Sequence, residues 1–291
     1  MMATRGLCSM LLLGSAAGFV APFVGTMHST SQQLRAAKTG SCVSMMASNI
    51  AVFGGNGLTG SEVVYQALDR GIKVTAFCRD PSKLSVPAGS GGAAAGTPLA
   101  NDNLKTVQQG SVTELDDVRK VFADGGIDGV VVALGGKTAD VGKTMLTDGT
   151  TNIITAMKEA GISRVAVVTS IGAGDSEKQA PFFFKVLMYT AMKSIFEDKN
   201  KQEDLFFKGP GKDLDFTVVR PGGLTVDPPT GTINVIKGEA GSISRADVAD
   251  FLIGAIGDED FPYLKQAPCI SSVGGTSWVK DRSKAARGEM A

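Results

Sequence analysis

The chain has 291 residues, 43% of them hydrophobic, and equal numbers of basic and acidic side chains. That length fits one large domain with appendages or two small ones. The balanced charge, with no long block of one sign, excludes an electrostatic case for nucleic acid or an anionic surface as main partner. His28 is the single histidine, and Cys8, Cys42, Cys78 and Cys269 lack metal-ligand spacing, which excludes a zinc site and a disulfide framework.

The first 47 residues carry Arg5, Arg35 and Lys38 but no acid; the first carboxylate is Glu62. Arg5 precedes an apolar stretch centred on Leu11, Leu12 and Leu13, with the small residues Ala16, Ala17 and Gly18 before Phe19. These are the basic, apolar and cleavage regions of a signal peptide over 1–18. Gly14, Ser15, Gly18 and Pro22 break the run, so no integral membrane segment is expected in the mature protein. Residues 19–47 read as a transit-peptide-like segment: Phe19, Val20, Ala21, Pro22 and Phe23, then a basic, acid-free stretch bearing Ser and Thr. The order resembles the bipartite plastid presequences of diatoms and related algae. Gly18 and the inserted Val20 and Ala21 depart from it. The resemblance implies a secondary plastid; plain secretion is the alternative.

From residue 48, short β-branched runs alternate with helix-period segments, the pattern of βαβ units. Strands are expected at 50–53, 73–78, 104–108, 129–134, 164–169 and 215–220. Helices are expected at 58–70, 114–123, about 141–160, once or twice within 182–207, and at 246–256. Thr113 and Ser244 stand as caps before two of them. The Gly- and Ala-rich 87–100 reads as a flexible loop, the pieces after Arg220 as a cap over the sheet edge, and 281–291 as a loose tail. The fold class expected is α/β: a single Rossmann-like doubly wound parallel sheet over 48–280 with a small C-terminal cap.

The first strand runs into Gly54, Asn56, Gly57, Leu58, Thr59 and Gly60. Glycines after a strand and before a helix allow a tight turn and bring the backbone to a pyrophosphate at the helix N-terminus. Arg79, at the end of the second strand, has the charge that accommodates the 2′-phosphate of NADP(H); the adjacent Asp80 keeps NAD open. The later strand ends face the same crevice. Ser111 and Val112 would lie by adenine, and Ala133, Leu134 and Gly135 by the nicotinamide ribose. Thr169 and Ser170 would meet nicotinamide or substrate, and Pro221, Gly222, Gly223 and Leu224 the carboxamide.

With Cys78-Arg79-Asp80, Val168-Thr169-Ser170, Asp198-Lys199 with Glu203, the 216–224 run and the segment 243–249, the chain resembles the atypical short-chain dehydrogenase/reductases. Within them it is most similar to the NmrA-like NAD(P)H-binding group that includes biliverdin-IXβ/flavin reductase. The likeness spans about 49–273 and departs at Gly110-Ser111, where the family commonly has Gly-Asp. It implies NADP(H) as cofactor, a small aromatic or conjugated substrate, and Lys199 near the cofactor. Tyr189 and Lys193 also reproduce the Tyr-x-x-x-Lys of ordinary short-chain dehydrogenases, which with Ser170 would form a catalytic set; packing is the other reading. The expected function is an NADPH-dependent reductase of flavin, quinone or tetrapyrrole type, with the proton coming from water or from Ser170, Lys199 or Tyr189. A non-catalytic NADP(H)-binding scaffold or redox sensor in plastid complex assembly is the alternative. Oligomeric state is left open.

Overall fold

The computed structural model describes residues 47–136 and 142–272, with the side chains of 106 and 107 left aside. The leader, Val141 and the C-terminal tail lie outside the described residues.

Eight strands form one sheet in the order β3-β2-β1-β4-β5-β6-β10-β8. Six come in the expected places: β1 Asn49–Phe53, β2 Lys73–Cys78, β3 Leu104–Gln109, β4 Gly129–Val132, β5 Arg164–Val168 and β6 Asp215–Pro221. All pair in parallel. The chain first builds outward from β1 to β3, then crosses back so that β4 pairs with β1 on the other side. That reversal opens the crevice in which ligands of doubly wound sheets bind.

The sheet is covered on both faces because its strands alternate. Ile50 and Val52 of β1 join one cluster with Val63, Val64, Ala67 and Leu68 of α1 (Leu58–Asp69) and Val248 and Leu252 of α6 (Arg245–Gly257). Ala51 and Phe53 point the other way. They pack with Val118 of α2 (Leu115–Lys120), Ile153, Ile154 and Met157 of α3 (Met145–Glu159), and Phe206 of α5 (Lys193–Phe207). Apolar runs without a polar face are what two-sided burial requires.

Some local expectations hold and others change. The 182–207 region is two helices, α4 (Phe182–Tyr189) and α5, separated by Thr190–Met192. Thr113 does not cap α2; its Oγ1 lies 2.7 Å from Ser111 Oγ and Glu114 takes the cap position. Ser244 does cap α6, its Oγ accepting from Asp247 N at 3.0 Å. Residues 87–100 are tied down rather than loose. Val86 N donates to Thr97 O, and Gly89 N to the buried Glu62 carboxylate at 2.8 Å. After Arg220 the chain also forms strands that local patterning did not announce. β10 (Cys269–Ser271) extends the sheet beside β6, and β8 (Asn234–Ile236) closes its edge antiparallel. β7 (Gly223–Thr225) and β9 (Ser242–Ser244) pair separately as a two-stranded ribbon leading into α6.

Candidate functional site

The glycine turn is shaped by contacts that no side chain would survive. Gly54 has φ +84°, and a Cβ there would lie 2.5 Å from Ala133 O. A Cβ on Gly60 would lie 2.0 Å from Gly54 O, so the first turn of α1 is pressed directly onto the loop. Gly57 is the N-cap of α1 and has no side chain to occupy its first N–H groups. Those groups remain available to an anion, as helix dipole and orphan donors together favour. Asn56 Nδ2 donates to Asp80 O at 3.1 Å, fastening the turn to the end of β2.

At that strand end two opposite charges stand side by side with different tasks. Asp80 accepts from Ser82 N at 3.1 Å and from Ser82 Oγ at 2.6 Å, and pairs with Lys83 at 3.0 Å. The Ser82 bonds, then Lys83, hold its carboxyl below the usual carboxylate range. Asp80 is thus committed to capping a short 3-10 turn at Pro81–Lys83. Arg79 is exposed on the wall of the crevice.

That crevice is a cavity of about 1260 Å³. Pockets for one drug-sized ligand run roughly 300–1,000 Å³, so this one has room for a dinucleotide and a second small molecule. Its lining collects the ends of all six expected strands: the glycine turn, Arg79, Ser111 and Val112, Ala133 to Gly135, Thr169 and Ser170, and Pro221 to Leu224. Gly60 lies beneath the surface and acts through packing, not contact. A wall of Pro181, Phe184, Leu187, Met192 and Ile195 makes the far side apolar.

The cavity also borders a polar cluster built across four segments of the chain, at Thr169, Asp175, Glu203 and Arg220. Thr169 Oγ1 donates to Glu203 Oε1 at 2.7 Å. Glu203 also receives Arg220 through Nε at 3.1 Å and Nη2 at 2.6 Å, and Arg220 Nη1 reaches Asp175 at 2.5 Å. Burial opposes the Arg220 charge, but Glu203 and then Asp175 outweigh it and raise the guanidinium pKa above its ordinary value. Lys199, one turn of α5 before Glu203, donates from Nζ to Thr169 O at 3.1 Å and borders the cavity with Ser170. Burial pushes its ammonium down to about 8, against the opposing pull of Glu203 and Asp198. Asp198 caps α3, accepting from Leu146 N at 2.8 Å and Thr147 N at 3.0 Å.

Tyr189 is not brought into this group. It is 60% exposed and outside the cavity lining, and a hydrogen bond to Glu177 raises its phenol pKa. The Tyr-x-x-x-Lys spacing presents one face only if one helix carries both residues. Here α4 ends at Tyr189 and α5 begins at Lys193, whose Nζ lies 3.9 Å from Glu197. The structure thus places Tyr189 apart from Ser170 and Lys199, which border the cavity. Sequence reading also assigned no role to Arg245 or Lys143, both on the cavity wall. Arg245 had a legible signal: a cation at the first position of a helix, where the dipole disfavours it.

Sheet order, glycine turn and strand-end cavity define a Rossmann-type dinucleotide-binding fold. A protein-family model described as NAD(P)H-binding matches residues 54–259, and the chain belongs to that family. A chloroplastic protein of uncharacterised function from Arabidopsis thaliana is 31% identical over 224 residues, 72% of each chain. The structure of an anaerobillin reductase from Escherichia coli O157:H7 shares the fold with a TM-score of 0.58 at 23% identity, covering 77% of this chain and 97% of that one. A short-chain dehydrogenase/reductase from Veillonella parvula, solved in complex with NADP, gives a TM-score of 0.61 at 14% identity, covering 79% and 96%.

Proposed function

We propose that this protein is an NADPH-dependent reductase acting on a small conjugated or aromatic acceptor of flavin, quinone or tetrapyrrole type. The observation that carries the reading is the meeting, in one cavity, of a dinucleotide-type strand-end lining, the Ser170–Lys199 polar pair and an apolar wall. Similarity to an anaerobillin reductase supports the acceptor class. The cofactor, when bound, supplies the hydride. The chain's own residues hold the adenosine end at Arg79 and Ser111, place Thr169 and Ser170 at the reacting end, and keep water from the acceptor with Phe184, Leu187 and Met192. Lys199 holds the proton that the reduced acceptor takes up. In such a site the protein contributes orientation and electrostatics. Oxidation of NADPH, followed spectrophotometrically with a flavin, a quinone and a linear tetrapyrrole as acceptors, tests the proposal. Turnover with at least one acceptor is expected; tight NADPH binding with no turnover on any would favour a scaffold or sensor.

Cofactor choice follows from the division of labour at β2. With Asp80 spent on its own turn, Arg79 meets the 2′-phosphate, and NADPH should bind more tightly than NADH. Arg79→Ala should erase most of that gap, about 1.5–3 kcal/mol for a charge-assisted bond. Calorimetric titration with both cofactors checks this, and equal affinities in the unmutated protein would refute it.

We also infer delivery to a plastid, from the acid-free leader and the chloroplastic relative. A fluorescent protein behind residues 1–60 should enter the plastid of an alga with a secondary plastid, and Phe19→Ala should block the last step. Release of the unmutated fusion into the medium would show secretion instead.

A further inference from the structure

Arg245 is a buried cation with one guanidinium nitrogen left unsatisfied among the described residues. It is the first residue of α6 and only 4% exposed. Its Nη1 has no hydrogen-bond partner among the described residues. Burial lowers its pKa; the opposing influence comes from Glu62. Yet Glu62 is already engaged, accepting from Gly89 N at 2.8 Å and from Ser90 N at 3.2 and 3.3 Å. Asp247, the acid in the first turn of α6, is taken by Ser244, by Gly231 N at 3.0 Å, and by Thr230 through N at 2.9 Å and Oγ1 at 2.7 Å. The positive end of the α6 dipole adds to the cost. A buried cation with an unsatisfied nitrogen costs stability, and a methionine would fill the space without that cost.

Position says what the charge serves. Arg245 lines the cavity together with Leu58 and Thr59, the first residues of α1, and with Leu224 of β7. The two helices are locked together there, since Gln66 Nε2 of α1 donates to Ala246 O at 2.8 Å. Arg245 and a helix N-terminus without a capping side chain therefore border one volume, and both suit an oxyanion. A carboxylate on the acceptor and the diphosphate of the cofactor share that chemistry; proximity to α1 selects the diphosphate. We propose that Arg245 binds the diphosphate of the dinucleotide opposite the α1 N-terminus, a second cationic anchor independent of Arg79. This rests on the cofactor reading above.

Arg245→Met tests it, with NADPH, ADP-ribose and adenosine 2′-monophosphate as probes. ADP-ribose carries the diphosphate and adenosine 2′-monophosphate does not. The variant should bind NADPH and ADP-ribose roughly 10- to 100-fold more weakly, the range of a lost hydrogen bond to a charged group. Adenosine 2′-monophosphate should bind as before, and Arg245→Lys should recover part of the loss. Without ligand, Arg245→Met should melt at the same or a higher temperature, a result that a structural role would not produce. Unchanged ADP-ribose affinity would overturn the assignment and leave the cofactor reading standing. Unchanged NADPH affinity with a raised KM for the acceptor would move the anion to the substrate and overturn it too. Equal loss of all three probes with a lowered melting temperature would reduce Arg245 to a structural part. Absence of dinucleotide binding in the unmutated protein would remove the cofactor reading and this proposal with it.

Discussion

Lys199→Met should lower turnover by roughly 10²- to 10⁴-fold, the usual cost of removing a positioned proton donor, while NADPH affinity changes little. Methionine keeps the length and apolar stem of lysine, so α5 should still pack. The side chain donates to Thr169 O at 3.1 Å beside Ser170, where the reacting end of the cofactor is proposed to lie. Its pKa of about 8 gives the effect a pH signature. A donor acts from its protonated form, so turnover should be full below that value and fall as pH rises through it. The variant should lose this alkaline limb along with most of its rate. Ser170→Ala should also slow the chemical step, because contacts strengthened in the transition state alter turnover more than binding. Tyr189→Phe should leave the rate nearly intact. A steady-state pH profile for each variant checks the set; a large loss with Tyr189→Phe and none with Lys199→Met would reverse the assignment.

Glu203→Leu should produce the largest loss of stability. The carboxylate is 2% exposed and meets Arg220 at two atoms while accepting from Thr169. Removing it leaves a buried guanidinium whose remaining ion-pair partner among the described residues is the exposed Asp175. Breaking such a pair from one side costs about 3–5 kcal/mol. At about 2–4 °C per kcal/mol for a domain of this size, melting should fall by roughly 6–20 °C. Replacing both partners, as Glu203→Leu with Arg220→Met, should restore much of that loss, because no uncompensated charge remains. Turnover should stay impaired in the double variant, since Thr169 would lack the acceptor that orients its hydroxyl. Thermal melts and rates on the single and double variants read both effects. Full activity in a stable double variant would show that the ion pair serves packing alone.

Local patterning was enough to reveal the repeated strand–helix units because the central strands are buried on both faces and read as apolar runs, as Ile50 to Phe53 and Gly129 to Val132 do. The glycine turn was legible for a related reason. Gly54 and Gly60 answer to steric limits at their own positions, and such limits leave one residue type. Arg79 and the strand-end residues could be placed on the crevice because the sheet's polarity puts every parallel strand end on the same side.

Other features depend on partners distant in sequence. β8 and β10 are three residues each and exist because β6 offers an open edge, which no property of 234–236 or 269–271 announces. The stretch 87–100 looked loose by composition, yet it is pinned by Glu62, more than twenty residues earlier. Tyr189 and Lys193, separated by a helix break, lie outside the cavity lining, whereas Lys199 borders it. Glu203 with Arg220, on neighbouring elements, and Arg245 with the start of α1, far apart in sequence, acquire their meaning only when those elements pack together. Thus steric and periodic signals, which act within a few residues, determined the fold class and the cofactor crevice from sequence alone. Charge compensation acts across the interior, and only the tertiary structure decided how buried ions such as Glu203, Arg220 and Arg245 are surrounded.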